Sequence, residues 1–181
     1  MPGEMTIVFD IETNGLLHDL TRIHCIALYD STTNEIETFN DEKNNKYSIS
    51  EGISRLLVAD TLVGHNAINY DIAAIGKLYN YFTPNARIVD TLLLSRLYHP
   101  NLLDIDKKNQ WSLMPLSKYG SHSLEAYGYR LGEYKGQFGK TTDWSEWSPE
   151  MEDYCAQDVQ VTTKLCDHFH QYLSGSKWNT R

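Results

Sequence analysis

Two acidic residues at the end of an apolar run constrain the fold of this chain more than any other feature. Residues 7–9 are Ile-Val-Phe, and Asp10-Ile11-Glu12 follow directly. Alternate residues of a strand share one face, so Asp10 and Glu12 project together from a strand that is otherwise apolar. Two carboxylates this close repel each other unless a cation lies between them. A solvated strand end would explain the pair without any function, whereas a central strand of an open α/β sheet ends where ligands bind.

Position 158 places a further carboxylate on the apolar side of a predicted C-terminal helix. The apolar stripe has helical spacing and comprises Met151, Tyr154 or Cys155, position 158, Val161, Leu165 and Phe169. An unpaired carboxylate on such a stripe is unfavourable, or protonates, unless a cation or strong donors bind it. Tyr154 lies one turn before Asp158 on the same face, so its hydroxyl can lie near whatever Asp158 binds. An arginine partner would explain Asp158 equally well in isolation.

Asp71 is predicted in the first turn of another helix, where a carboxylate interacts favourably with the helix dipole. By itself it is explained by capping of the helix N-terminus. Together with the other three carboxylates and Tyr154, however, it completes a set of oxygen ligands from elements that are distant in sequence. Such a set favours Mg²⁺ or Mn²⁺ over zinc.

The remaining pattern predicts an α/β fold in which hairpins precede alternating strands and helices. Strands are predicted at residues 7–11, 23–29, 35–39, 61–63 and 87–89. Helices are predicted from the Ser48 cap to about residue 58, over 71–79, from the Asp90 cap to about 98, over 121–131, and from the Ser148 cap to about 172. Residues 99–120 and 132–148 are predicted to be irregular, and 174–181 to form a polar tail.

Composition limits the classes of function. A formal net charge of −8 disfavours tight or sequence-specific binding of nucleic acid, but it matters less for an enzyme whose bound cations supply positive charge. The three cysteines, without a Cys-x-x-Cys pair, predict packed thiols rather than a disulfide framework or a zinc site. No stretch approaches the roughly 18 to 20 apolar residues of a membrane-spanning helix, and no signal peptide is visible. We therefore expect a cytoplasmic protein without a membrane partner.

Three motifs resemble the exonuclease motifs of the DEDD superfamily. They are residues 9–13 (Phe-Asp-Ile-Glu-Thr), the region around Asp71, and residues 154–158 (Tyr-Cys-Ala-Gln-Asp), with the tyrosine typical of the tyrosine, DnaQ-like branch. Residues 90–97 and 120–132 also resemble the proofreading domain of family A DNA polymerases of T-seven-like phages. The resemblance covers roughly residues 6–173, and we predict one exonuclease domain at 1–173.

The resemblance implies a ribonuclease-H-like fold, with a mixed five-stranded sheet flanked by helices. It also implies the 3′ end of single-stranded DNA as substrate and nucleoside 5′-monophosphates as products. In the phage enzymes a polymerase domain follows, whereas this chain stops. We expect either a stand-alone exonuclease, working with a separately encoded DNA polymerase in the host cytoplasm, or an excised fragment.

The mechanism expected from these residues uses two metal ions about 4 Å apart. Asp10, Glu12 and Asp158 would hold the ion that activates the attacking water. Asp10 would bridge to a second ion, supported by Asp71, that offsets charge on the departing 3′ oxygen. Tyr154 is a poor base, since an unperturbed phenol has a pKa of about 10, so it would position the water.

Substrate contacts are expected from residues near these motifs. By resemblance, Thr13 and the pair Leu16-Leu17 lie beside the terminal base, although core packing explains the leucines equally well. Asn66 and Tyr70 are candidates for contacting the strand. Between 98 and 147 the chain carries nine aromatic and several basic residues, which suit single-stranded nucleic acid, but at least half of the rings are expected to pack loops onto the core. These residues are Tyr98, Trp111, Tyr119, Tyr127, Tyr129, Tyr134, Phe138, Trp144 and Trp147, with Lys107, Lys108, Lys118, Arg130, Lys135 and Lys140.

Asp90 is interpreted as a helix cap, and the histidines are given no catalytic role. His65, His99 and His122 are expected to be structural or loose phosphate contacts, and His168 and His170 to be solvated.

Three alternatives remain open from the sequence. A DEDD exoribonuclease would carry the same carboxylates, because discrimination rests on contacts to the 2′-OH. A catalytically idle docking module of a replication complex would usually have lost one of them. A metal-free acid/base hydrolase would need one strongly raised carboxyl pKa.

Overall fold

The computed structural model describes residues 4–42, 45–134 and 143–175. Its five strands form one mixed sheet in the order β3-β2-β1-β4-β5. The strands are β1 (Thr6–Thr13), β2 (Ile23–Asp30), β3 (Glu35–Phe39), β4 (Thr61–Gly64) and β5 (Arg87–Asp90). The pairs β1–β2 and β2–β3 are antiparallel, whereas β1–β4 and β4–β5 are parallel. The expected hairpins and mixed five-stranded sheet are therefore confirmed, and β1 is the central strand.

Helices follow the strands in the expected order. They are α1 (Ile49–Leu57), α2 (Asp71–Leu78), α3 (Thr91–Tyr98), α4 (Leu102–Asn109), α5 (Leu124–Arg130) and α6 (Pro149–Leu173). Ser48 forms the expected capping box with Glu51, and Ser148 caps α6, which has Pro149 in its first turn. None of the helices in the described ranges is long and apolar enough to cross a membrane.

Two expectations about secondary structure are wrong. Residues 99–120 are not irregular, because they contain α4 and a 3₁₀ turn at Leu116–Lys118. Helix α5 begins at Leu124 rather than at residue 121, since the Ser123 side chain accepts a hydrogen bond from the Ala126 N–H at 3.3 Å and caps it there. The predicted contacts of Lys135, Phe138 and Lys140, and the tail from 176 onward, lie outside the described residues.

The segment around α4 is held by a buried carboxylate, Asp106. It accepts hydrogen bonds from Trp111 Nε1 at 2.9 Å, from the Gly120 N–H at 2.7 Å, and from two guanidinium nitrogens of Arg130 at 2.9 and 2.7 Å. Trp111 and Gly120 lie between α4 and α5, and Arg130 is the last residue of α5. Asp106 therefore fastens the whole connection to the end of α5.

Alternation along β1 separates two apolar layers. Ile7, Phe9 and Ile11 pack in a core with α1 and α2. Val8 packs on the opposite face, in a second core that includes Met151 and other residues of α6. Because Asp10 and Glu12 continue the face of Val8, the sheet directs both carboxylates towards α6.

Candidate active site

Asp10 and Glu12 meet α6 at the end of β1. Carboxylate oxygens of both residues and the Sγ of Cys155 all lie within 4.8 Å of one another. The buried Cys155 thiol donates to the Asp10 backbone oxygen at 3.4 Å and to Asp10 Oδ2 at 3.5 Å. Asp158 lies one helical turn further along α6 and faces the same carboxylates, whose charges raise one another's pKa.

Asp71 joins this group from α2, which packs on the face of the sheet opposite α6. It is the first residue of α2, and its Oδ1 accepts the Ile11 backbone N–H at 3.2 Å. The N-cap of α2 is Tyr70, which makes no side-chain cap bond, so simple capping does not explain Asp71. The backbone bond fixes the carboxylate of Asp71 against the strand that carries Asp10 and Glu12.

The environment of the four carboxyl groups raises their pKa values. Burial, followed by repulsion from the neighbouring carboxylates, raises the pKa of Asp10 and of Glu12 well above their ordinary values. Burial also raises the pKa of Asp71 and of Asp158 to about 7. Within the described ranges no salt bridge joins any of the four to a basic side chain. An oxygen-rich, anionic group of this kind fits divalent cations such as Mg²⁺ or Mn²⁺.

Tyr154 remains protonated beside this group. Burial, then the charges of Asp158, Glu12 and Asp10, raise the pKa of its phenol above the ordinary value. Its hydroxyl hydrogen-bonds to Asp158 and partly offsets the rise in the pKa of that carboxyl. A phenol in this setting can donate and orient, but it does not accept a proton near neutral pH.

A pocket of about 370 Å³ adjoins the carboxylates. Its lining residues are Glu12, Thr13, Gly15, Leu16, Tyr70 and Trp144. Of the five expected substrate contacts, Thr13, Leu16 and Tyr70 line this pocket. Leu17 instead packs against the core, and Asn66 adopts a left-handed backbone conformation with φ of 65° in the loop before α2. Contact of Leu17 and Asn66 with substrate stays a prediction.

A family model described as the RNase_H superfamily matches residues 7–170. The chain belongs to the RNase_H superfamily. The DNA-directed DNA polymerase of Escherichia phage T7 is 35% identical over 185 residues, covering 89% of this chain and 26% of the polymerase. The chain thus spans about a quarter of the length of that relative.

Solved structures share the fold of this superfamily member. Brucella melitensis NrnC is 17% identical with a TM-score of 0.64, covering 96% of this chain and 76% of that one. The zinc-bound Escherichia coli ExoI–ssDNA complex is 15% identical with a TM-score of 0.58, covering 93% of this chain and 41% of that one. The ribonuclease-H-like fold expected from the motifs is confirmed, and the relatives and the fold together support a nuclease.

Sequence reasoning missed contacts made by three residues. The sequence predicts a packed thiol at Cys155, and this buried thiol also contacts Asp10. Trp144 lines the pocket, although no local pattern distinguishes it from the other aromatic residues. Asp90 caps α3 as expected, through the Leu92 N–H at 3.0 Å, but it also accepts the N–H groups of Asn66 and Ile68 at 2.9 and 3.2 Å. It therefore holds the loop that leads to Asp71.

Four of the histidines contact other parts of the fold. His65 lies between Thr91 Oγ1 and the His122 carbonyl, at 2.9 and 3.0 Å, and burial lowers its pKa to about 4. His168 is not solvated as expected, because its Nε2 lies 2.7 Å from Nε2 of His99. His170 is exposed, as expected.

Proposed function

We propose that this chain is a metal-dependent 3′→5′ exonuclease that removes nucleoside 5′-monophosphates from single-stranded or frayed DNA. The observation that carries the proposal is the convergence of four carboxylates, without basic partners in the described ranges, beside a pocket of nucleotide size. Bound cations, rather than basic side chains of the described residues, would neutralise the charge of these carboxylates. The relationship to a phage DNA polymerase supports DNA as the substrate.

The residues present define which groups would hold the ions. Asp10, Glu12, Asp71 and Asp158 would bind two Mg²⁺ or Mn²⁺ ions. When bound, such ions lower the pKa of a water and offset charge on the departing 3′ oxygen. The Ile11 N–H fixes Asp71, and the Cys155 thiol orients Oδ2 of Asp10. Tyr154 stays protonated and donates its phenol proton to Asp158, so its hydroxyl oxygen would orient the attacking water by accepting a hydrogen bond from it.

We also propose a DNA polymerase as the partner of this chain. The phage relative contains a polymerase in one chain with the matching region, and the present chain corresponds to about a quarter of it. A catalytically idle docking module is the opposing hypothesis. It predicts that the four carboxylates can be replaced without loss of function.

The deciding experiment follows a 5′-labelled single-stranded DNA in Mg²⁺ or Mn²⁺, with an RNA of the same sequence alongside. Asp10→Ala tests the cluster, and Asp153→Asn, an exposed carboxylate on the same helix, is the matched control. We expect a ladder that shortens from the 3′ end and is abolished by EDTA and by Asp10→Ala but not by Asp153→Asn. Activity that survives EDTA would indicate a metal-free hydrolase, and preferential cleavage of RNA would make the chain an exoribonuclease. No cleavage of either strand by folded protein would leave the docking module.

A further inference from the structure

We propose that His99 and His168 form a binding site for a late first-row divalent metal ion such as Zn²⁺, which joins the end of α3 to the C-terminal half of α6. The Nε2 atoms of the two rings lie 2.7 Å apart, although the residues are 69 positions apart in the chain. The site is separate from the carboxylate cluster, since His168 lies about 15 Å beyond Asp158 along the axis of α6. The proposal therefore does not rest on the proposed exonuclease function.

The two rings direct the same kind of atom at the same point. In a neutral pair one Nε2 carries a proton and donates it, and the other Nε2 accepts it with its lone pair. Imidazole nitrogens are preferred ligands of Zn²⁺, Ni²⁺ and Cu²⁺, whereas Mg²⁺ and Mn²⁺ prefer carboxylates and water. The ion expected between His99 and His168 thus belongs to a different class from the ions expected at the carboxylates.

Neighbouring aromatic rings hold the two imidazoles in this orientation. The ring of Tyr172 meets that of His99 edge to face, with centroids 5.4 Å apart and planes at 88°. The fully buried ring of Phe169 lies 5.6 Å from that of His99. Tyr172 in turn stacks on Tyr98 at 4.8 Å. This apolar packing orients the ligand nitrogens before an ion binds and limits the access of solvent to them.

Replacement of the shared proton by an ion requires only a small movement. Two nitrogens on a tetrahedral Zn²⁺ lie about 3.4 Å apart, so the rings must separate by about 0.7 Å from their present 2.7 Å. His99 can supply this shift, because it is the C-cap of α3 and its φ of −126° and ψ of 54° are not helical. The ring that now donates must also move its proton from Nε2 to its own Nδ1. Both Nε2 lone pairs then face the ion, and no net proton is released.

Water would complete the coordination of this ion. Among the described residues, no third histidine, cysteine or carboxylate side chain lies within ligand distance of the pair. Both histidines are half-buried, so water can reach the remaining positions. A site with two protein ligands holds its ion less permanently than a closed structural zinc site, which has four. The ion would reinforce an existing contact between the helices, because Leu94 of α3 already packs with Leu165 of α6.

The test is a Zn²⁺ titration of the whole chain with ¹⁵N-labelled histidine, in excess Mg²⁺ to occupy the carboxylates. Long-range ¹H–¹⁵N spectra should show ligation at Nε2 for two of the seven histidines. At free Zn²⁺ about a hundredfold above Kd, Tm should rise by roughly 5 to 10 °C. His99→Gln and His168→Gln should each abolish both effects. His170→Gln is the matched control, because His170 is exposed on the same helix, and it should retain both.

The proposal is overturned if Zn²⁺ leaves the Nε2 signals of His99 and His168 unchanged. It is also overturned if the rise in Tm persists in both glutamine variants, because Zn²⁺ would then bind at the carboxylates or at the thiols. If one variant does not fold, the other assigns the signals in the wild-type spectrum. DNA cleavage in Mg²⁺ is scored separately. Cleavage without ligation at these histidines refutes only this site, and ligation without cleavage of DNA or RNA refutes only the exonuclease.

Discussion

Buried and half-buried carboxylates occur in two contrasting settings in this molecule. Asp106, in helix α4, is fully buried and receives bonds from Arg130, Trp111 and Gly120. Burial alone would raise the pKa of Asp106, but these donors outweigh burial and lower it. At the end of β1, by contrast, Asp10 and Glu12 face other carboxylates, and their pKa values rise.

The contrast separates structure from function on physical grounds. Hydrogen-bond donors around a buried charge offset the free-energy cost of its desolvation within the fold. Removal of such a charge should therefore affect stability. Buried charges that face one another are unfavourable for the fold, so something outside the chain must account for them. The predictions below test that distinction.

The largest effect is expected on catalysis. Glu12→Gln and Asp158→Asn should each reduce kcat by about a thousandfold or more, equivalent to roughly 4 kcal/mol, because each removes a carboxylate that we propose as a metal ligand. Neither substitution should lower the stability of the metal-free protein, since repulsion within the cluster is relieved. Single-turnover rates in Mn²⁺ and urea unfolding in EDTA measure the two quantities. If a variant unfolds at a lower urea concentration yet keeps the wild-type rate, these carboxylates would have a structural role like that of Asp106.

Asp106→Asn should show the reverse pattern. It leaves Arg130 buried against a neutral partner, so we expect a loss of about 3 to 5 kcal/mol in the free energy of unfolding. The kcat of the fraction that remains folded should stay within a few fold of wild type. Urea unfolding followed by circular dichroism, with rates corrected for the folded fraction, checks both. A large fall in kcat without destabilisation would contradict the structural role.

Stability should also depend on pH in a direction set by the cluster. A carboxyl with a raised folded-state pKa binds its proton more tightly in the folded chain than in the unfolded chain. For Asp71 and Asp158 this favours folding below the ordinary value of 3.8 and is lost as pH rises to about 7. In EDTA the urea concentration at the unfolding midpoint should therefore decrease as pH rises from 5 to 8.

Mn²⁺ should oppose that decline most strongly at pH 8, where the carboxylates are ionised and free to bind it. Asp158→Asn should flatten the slope in EDTA. Asp106, whose pKa is lowered, affects stability only under more acidic conditions. A midpoint that rises from pH 5 to 8 without metal would show that the cluster is compensated within the chain.

The smallest effect is expected for Tyr154→Phe. Loss of one orienting hydrogen bond should lower kcat roughly tenfold, or about 1.4 kcal/mol. Because the pKa of the phenol is raised, the pH–rate profile between pH 6 and 9 should keep its shape. Steady-state rates of wild type and Tyr154→Phe across that pH range test this prediction. Disappearance of an ionisation from the profile would instead make Tyr154 a base.

Periodicity in the local sequence is sufficient to predict β1 and α6, the two elements that carry Asp10, Glu12 and Asp158. Alternation placed Asp10 and Glu12 on one face of β1, and helical spacing placed Tyr154 and Asp158 on one side of α6. Helix α4 escaped prediction because no glycine marks its end, although Asn101 at its start is of a type that often caps helices. Asn101 makes no side-chain cap bond, and the helix ends at Gln110 with φ of 50° rather than at a glycine.

Contacts between distant residues lay beyond the sequence patterns. The bond between Cys155 and Asp10 spans 145 positions, and that between His24 and Trp144 spans 120. Neither partner has a local spacing that marks the other. The motifs therefore predicted the carboxylate set, whereas the pocket wall and the thiol required the folded chain.

Helix α6 sets a limit on how genes for such chains can change in length. It packs Met151 against the sheet near its start and Phe169 in a separate core near its end, with Asp158 between them. Each residue advances an α-helix by 100°, so a single codon inserted between 151 and 169 must turn one of these contacts away from its neighbours. We therefore expect viable insertions to fall before Ser148 or after Leu173, and the interval between to vary by substitution alone.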